Sequence, residues 1–257
     1  MSSSRSILVD LHLPLLRGLQ IAVKVEGKGD PLLLINGMTR PLSSWGPFAG
    51  LMQQQRQGRT VISFDAPGVG GSPTPIRPPS IAELATIAAA VLDAAGQDDA
   101  DVLGFSHGGA VAQQLAHVAP GRVRRLVLAS TSCGLGATPG KRRDILRSLG
   151  VPLDGNPWPL PDPLGLLWQS LAVSTWSSIP FLGSIGVPTL VVCGSRDRVV
   201  PPANSRVLAR RIPHASLIML PARGHDLQRG ESAQALARVV EDFLPATGAT
   251  EGLRTCG

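Results

Sequence analysis

Short, mostly apolar runs alternate with segments of helical spacing along most of the chain. The runs have the length of buried strands and lie at 31–35, 60–64, 100–105, 126–129, 189–193 and 216–220. The helical segments lie at 45–55, 81–95, 110–118, 204–212 and 232–244. An earlier segment, 19–25, alternates apolar and polar residues as an edge strand does. Because apolar strands that alternate with helices are typical of a sheet covered on both faces, the pattern predicts an α/β fold with a mostly parallel central sheet.

This alternation is interrupted after Ser132. Prolines are concentrated between residues 152 and 163, and this part of the chain contains three of the four tryptophans, Trp158, Trp168 and Trp176. Strand-like runs return at residue 189. We therefore predict a core formed by 1–132 and 185–245, a small lid inserted at 133–184, and a flexible tail at 246–257.

The composition fits one globular domain. With 257 residues and 43% hydrophobic content, the chain is long enough to bury a full core. We expect no membrane span, because no apolar stretch approaches the required ~20 residues, and no secretory signal, because the start lacks a long apolar region. Cys133, Cys193 and Cys256 have neither metal-ligand spacing nor an even pairing framework. Reduced thiols and a cytoplasmic location are the resulting expectation.

The charge does not indicate a nucleic-acid partner. The net charge is +6, with basic residues, mostly arginines, clustered at 122–125, 141–143 and 206–211. A nucleic-acid surface combines a basic stripe with aromatic residues, whereas aromatics make up only 4% of this chain and tyrosine is absent. We therefore interpret the arginine clusters as solvated helix faces and loops, and expect no nucleic-acid partner.

The strongest chemical signal is Ser106 within Gly104-Phe105-Ser106-His107-Gly108. A predicted strand precedes this G-x-S-x-G pentapeptide and a predicted helix follows it. A serine on such a sharp turn adopts strained backbone angles, so that its flanking positions must be small. The context predicts a nucleophile elbow, although the pentapeptide alone is a weak signal in a glycine-rich chain.

A nucleophilic serine needs a base and a group that orients the base. In elbow enzymes the chain order is serine, acid, histidine. Asp197 follows the predicted strand at 189–193, and His225 follows the one at 216–220. Because parallel sheets place their sites at the carboxyl ends of strands, we predict the catalytic set Ser106, Asp197 and His225.

The other candidates fit less well. His107 is adjacent to Ser106 and is a better candidate for a pocket wall, while His12, His117 and His214 are interpreted as surface or core residues. Asp226 is too close to His225 in sequence to orient its imidazole.

The oxyanion donors are predicted from position. Asn36-Gly37-Met38 follows the strand that ends at Ile35, where the second donor of an elbow enzyme arises. We expect the backbone N–H groups of Met38 and His107 to be the donors. An ordinary tight turn at Asn36-Gly37 is compatible with the same role.

With these motifs the chain resembles the α/β-hydrolase superfamily over roughly 19–245. The resemblance rests on Asp65-x-Pro-Gly-x-Gly-x-Ser72, the elbow, Gly194-x-x-Asp197-x-x-x-Pro201 and Gly224-His225. It is more specifically similar to the intracellular poly(3-hydroxyalkanoate) depolymerase-like branch, through segments at 34–37, 64–72, 112–116 and 176–180. One departure is His107, which replaces the tryptophan that often follows the nucleophile in that branch.

The resemblance implies a serine esterase that cleaves hydrophobic 3-hydroxyacyl esters without a cofactor or metal. Gly68-Val69-Gly70-Gly71 lacks the G-x-G-x-x-G spacing of a nucleotide site. The same catalytic set would also serve C–C bond hydrolysis, acyl transfer or cofactor-free peroxidation, and a non-catalytic ligand receptor on the same scaffold is a further alternative.

The lid is apolar beyond the needs of a surface connection. Its apolar residues are Leu164, Leu166, Leu167, Trp168, Leu171, Trp176 and Phe181. They are interpreted either as an acyl pocket over Ser106 or as contacts that pack the lid onto the core. Trp168 and Trp176 are the candidates for substrate contact.

Overall fold

An eight-stranded sheet forms the centre of the structure, a computed structural model that describes residues 4–10, 18–55, 58–150 and 162–244. The strands are β1 (Ser4–Asp10), β2 (Gln20–Glu26), β3 (Asp30–Ile35), β4 (Arg59–Phe64), β5 (Ala100–Phe105), β6 (Val123–Ala129), β7 (Thr189–Gly194) and β8 (Ala215–Leu220). The helices are α1 (Gly46–Gln53), α2 (Ile81–Ala94), α3 (His107–Val118), α4 (Arg142–Ser148), α5 (Pro163–Ser174), α6 (Pro202–Arg211) and α7 (Gly230–Phe243). The tail predicted at 246–257, together with Trp158, His12 and Cys256, lies outside the described residues.

The sheet is mostly parallel, as the sequence predicts. Its order is β1-β2-β4-β3-β5-β6-β7-β8, and every pair from β4 to β8 is parallel. Strands β5 and β7 are buried along their whole length, because helices cover both faces. The predicted α/β fold is therefore confirmed.

One strand prediction is wrong. Strand β2, expected at the edge, is paired antiparallel with β1 on one side and β4 on the other. Its alternating pattern arises because one face of this end of the sheet is only half-buried. Strand β1 is the true edge, and most of its residues are exposed.

Two layers of helices bury the two faces of the sheet. On one face, α2, α3 and α6 contribute Ile87, Leu115 and Leu208 to a common cluster. On the other face, Phe48 of α1 and Val240 of α7 pack against the strands. The start of α2 forms the capping box that the sequence predicts, since Ser80 and Glu83 exchange side-chain to backbone hydrogen bonds.

The predicted lid lies between β6 and β7. Its described part contains α4, α5 and a short 3-10 turn at Leu182–Ser184. The lid is joined to α3 of the core, because Ser178 Oγ donates to Gln113 Oε1 at 2.7 Å. In the described part of the chain, no helix is both long and apolar enough to cross a bilayer.

Candidate active site

Ser106 occupies the sharp turn between β5 and α3. Its backbone angles are φ 53° and ψ −118°, a strained combination for a residue with a side chain. The flanking glycines make the turn possible. A Cβ on Gly104 would lie 2.5 Å from the carbonyl oxygen of Gly108, and a Cβ on Gly108 would lie 2.5 Å from that of Asn36.

The structure brings the three predicted catalytic residues together. His225 Nε2 lies 3.1 Å from Ser106 Oγ, and His225 Nδ1 lies 2.9 Å from Asp197 Oδ2. Because a carboxylate oxygen only accepts, Nδ1 is the protonated nitrogen and the lone pair of Nε2 faces the serine. The other carboxylate oxygen, Oδ1, accepts from the backbone N–H groups of Val199 at 2.9 Å and Val200 at 2.8 Å. These bonds fix the orientation of the carboxylate.

The alternative residues lie elsewhere. The His117 ring stacks on Phe181 with 4.2 Å between centroids, and His214 is an exposed residue that precedes β8. Asp226 forms an ion pair with Arg40 at 2.7 Å, whereas His225 Nδ1 is paired with Asp197.

The two predicted oxyanion donors, Met38 and His107, line the same cavity as Ser106. His107 is the first residue of α3, so its N–H has no acceptor within the helix. Within the described ranges, the N–H of Met38 likewise has no protein acceptor. The Met38 loop is held from both sides, because Asn36 Nδ2 donates to Pro41 O at 2.9 Å and Thr39 N donates to Gln169 Oε1 at 2.8 Å.

The His107 side chain is buried and neutral. Desolvation by burial lowers the pKa of its imidazole to about 4, and its Nε2 has no hydrogen-bond partner among the described residues. His107 lines the cavity beside Ser106, which agrees with the expected pocket wall.

A cavity of about 290 Å³ lies over Ser106. Its wall is mainly apolar and includes Met38, Ala110, Val199 and Val200 from the core. The lid contributes Ile145, Leu149, Ser170 and Val173.

Trp168 and Trp176, the predicted substrate contacts, do not line this cavity. The Trp168 indole donates to Pro75 O at 3.0 Å, and the Trp176 indole donates to Gln114 Oε1 at 2.8 Å. Both rings therefore attach the lid to the core, which supports the packing interpretation of these two residues.

Sequence reasoning gave no role to two residues, Asp65 and Arg40. Asp65, quoted only as part of a motif, is buried and accepts from the N–H groups of Leu42 at 2.6 Å and Gly71 at 2.7 Å. Burial raises the pKa of its carboxyl, and the two bonds oppose that rise. Arg40 lies 6.0 Å from the Phe105 ring centroid. The sequence signal that could have indicated a place for Arg40 near the site is its position two residues after Met38, a predicted oxyanion donor.

Among the described residues, no group of three or more histidine, cysteine or acidic side chains is placed to hold a metal ion.

Comparison with known proteins identifies a family and several similar hydrolases. A family profile described as alpha/beta hydrolase fold matches residues 30–147 and 159–230. The chain is 35% identical over 242 residues to the poly(3-hydroxyalkanoate) depolymerase of Ectopseudomonas oleovorans, covering 83% of this chain and 84% of that protein. It is 34% identical over 256 residues to the 2-hydroxymuconate semialdehyde hydrolase of Pseudomonas putida, covering 85% and 88%. A solved hydrolase from Pseudomonas aeruginosa PA01 superposes with a TM-score of 0.80 at 27% identity, covering 94% of this chain and 98% of that one. The resemblance inferred from the motifs is confirmed.

Proposed function

The chain belongs to the α/β hydrolase family, and we propose that it is a serine esterase that cleaves hydrophobic carboxylic esters through an acyl-enzyme. The observation that supports this most directly is the continuous set of contacts from Asp197 through His225 to Ser106, beside a mainly apolar cavity. A cytoplasmic location stays a prediction from the cysteine pattern.

In the first step, Ser106 Oγ attacks the ester carbonyl carbon while its proton passes to His225 Nε2. The ester C–O bond then breaks, and the same proton passes to the departing alcohol oxygen. A water molecule repeats the sequence on the acyl-enzyme and releases the carboxylic acid. Asp197 stabilises the imidazolium that forms in each step, because its carboxylate lies 2.9 Å from His225 Nδ1.

The developing oxyanion would be bound by the N–H groups of Met38 and His107. Such a donor typically lowers the barrier by about 3–4 kcal/mol. Both donors are held in position before substrate binds. The N–H of His107 belongs to the first residue of α3, and Met38 lies on a loop held by the side chains of Asn36 and Gln169.

The cavity supports a hydrophobic acyl group. Ile145, Leu149 and Val173 of the lid face the core residues across about 290 Å³, which is the lower end of the size range of small-molecule sites. Together with the similarity to the depolymerase of E. oleovorans, this favours 3-hydroxyacyl esters as substrates.

The second candidate is C–C bond hydrolysis by the same residues. It is favoured by the similarity to the semialdehyde hydrolase of P. putida. Because the fold supports both reactions, the cavity rather than the triad would decide between them.

The test is hydrolysis of p-nitrophenyl esters of increasing chain length, of a 3-hydroxyalkanoate oligomer and of a 2-hydroxymuconate semialdehyde. We expect ester cleavage that rises with chain length, and a loss of about 10³-fold or more in Ser106→Ala. Ser174→Ala is the matched control, because Ser174 is exposed on α5 and its hydroxyl donates to Leu171 O within the same helix.

Full esterase activity in Ser106→Ala would refute the proposed nucleophile. Cleavage of the semialdehyde but no ester would favour the second candidate. Absence of all turnover, with no labelling of Ser106 by a serine-directed phosphonate, would favour a ligand receptor.

A further inference from the structure

A second cavity adjoins the first on the other side of His225. It has a volume of about 590 Å³ and is formed by α4 and by the loops that follow β7 and β8. Arg40, Ser148, Val199 and His225 line both cavities. The imidazole therefore lies at the boundary between them.

The second cavity, called the basic cavity below, differs from the first in charge. Its charged residues are the arginines Arg40, Arg147, Arg196, Arg198 and Arg229 and the aspartates Asp144 and Asp226. Five guanidinium groups against two carboxylates leave a formal excess of three positive charges. In the first cavity, Arg40 is the one lining residue with a permanent charge.

Arg40 is fixed at the boundary. Its side chain is only 10% exposed, is paired with Asp226 at 2.7 Å and also donates to Ser148 O at 3.3 Å. Its guanidinium lies over the Phe105 ring, whose centroid is 5.1 Å from that of His225. A positive charge is thus held close to the reacting groups.

Arg196 and Arg198 are exposed at the rim of the basic cavity. In the part of the chain that the structure describes, neither side chain forms an ion pair or a hydrogen bond. Their guanidinium groups are available to an anion, and a planar guanidinium matches a carboxylate through two parallel bonds.

The two cavities would receive the two parts of an ester. The predicted oxyanion donors, Met38 and His107, line the first cavity and do not line the basic cavity. The ester carbonyl therefore belongs in the first cavity. The departing oxygen must lie against His225 Nε2 to receive its proton, so the alcohol portion extends past His225 into the basic cavity.

We propose that the basic cavity binds a carboxylate in the alcohol portion of the substrate, so that the preferred esters release a hydroxy acid. This inference rests on the proposed esterase function. In a 3-hydroxy acid the carboxylate is two carbon–carbon bonds from the carbon that bears the ester oxygen, which suits a cation beside the imidazole. An oligomer of such acids has one free carboxylate, at its carboxyl end, so the enzyme removes the terminal unit first.

The test compares two dimeric 3-hydroxyacyl esters of equal length, one with a free terminal carboxylate and one with a terminal carboxamide. We expect the wild-type kcat/KM for the carboxylate to exceed that for the amide by about tenfold or more, as for a charge-assisted contact. High salt should reduce this ratio by screening. The double variant Arg196→Gln/Arg198→Gln should lower this ratio, and Arg40→Gln should lower it as well.

Arg210→Gln is the matched control. Arg210 is exposed on α6 and lines neither cavity, so this variant should keep the wild-type ratio. Structural damage alone would lower kcat/KM for the carboxylate dimer and for the amide dimer by the same factor, and the ratio would not change. A wild-type ratio in the double variant, with or without lower rates, would therefore overturn the inference. Equal cleavage of the two dimers by wild type would overturn it while leaving the esterase proposal intact. Cleavage of neither dimer would overturn it as well, and activity on p-nitrophenyl esters in the same assay then shows whether the esterase proposal survives.

Discussion

Replacing Asp197 by asparagine should disable His225 through its tautomer. The two side chains have the same shape, but one oxygen becomes an NH₂ group. Since Val199 and Val200 donate backbone N–H bonds to Oδ1, the asparagine oxygen must occupy that position. The NH₂ group then faces His225 Nδ1, which has to accept, and the proton moves to Nε2. Ser106 loses its base.

The two hydrogen bonds to Oδ1 determine how large the loss of kcat/KM should be. Flipping the amide would restore the base but would leave two buried N–H groups without an acceptor, each costing about 1–3 kcal/mol. At 1.4 kcal/mol per tenfold, a cost of about 2–6 kcal/mol leaves at most about 3% of molecules in the active form. The imidazolium also loses the negative charge beside it. We therefore expect kcat/KM to fall by about 10³- to 10⁴-fold, in the range of other serine hydrolases.

The assay is kcat/KM at pH 8 on the best p-nitrophenyl ester, with thermal unfolding as a check of the fold. Asp93→Asn is the control, because its side chain is 64% exposed and pairs with Arg122 far from the site. It should change kcat/KM less than twofold. A folded Asp197→Asn enzyme with more than a tenth of wild-type activity would refute the tautomer argument.

Two further predictions concern the elbow. Because burial lowers the pKa of His107 to about 4 while an unfolded histidine titrates near 6.5, the unfolded chain binds more protons between these values, and His107 destabilises the fold as pH falls from about 6.5 to 4. In urea unfolding, His107→Gln should lessen the stability lost between pH 7 and pH 4 by up to about 3 kcal/mol, and an unchanged loss would contradict this. Gly108→Ala should lower both the melting temperature and kcat, since the new Cβ would press on the backbone carbonyl groups of Ile35 and Asn36. A variant with wild-type values would show that the turn has more room than described.

Periodicity predicted the parallel part of the sheet well, because those strands are buried on both faces and are therefore apolar almost throughout. It failed at β1, whose residues are mostly exposed. Which strand forms the edge, and is therefore exposed, depends on the strand order of the whole sheet. The local sequence does not contain that information.

The candidate triad could be proposed from sequence because each member follows its own strand, and strand ends meet at one edge of a parallel sheet. The geometry agrees with that set, while the catalytic roles stay a proposal. Sequence alone could not assign the roles of Trp168 and Trp176. A tryptophan in the lid looks the same in the sequence whether its indole contacts the substrate or, as here, donates to a core residue such as Pro75 or Gln114. The basic cavity could not be predicted from the sequence either, because its arginines are spread along the chain from Arg40 to Arg229.

The position of β8 has a consequence for how activity is lost. Among the described residues, β8 hydrogen-bonds to one neighbour, β7, and its Ile218 and Met219 are 39% and 41% exposed. His225 follows this strand, whereas Ser106 follows β5 in the middle of the sheet. Segments with few buried contacts open at lower free energy than the core. We therefore expect mild heat or denaturant to separate His225 from Ser106 while the central strands are still folded, so that the first inactive species would be nearly native and would regain activity when β8 pairs again with β7.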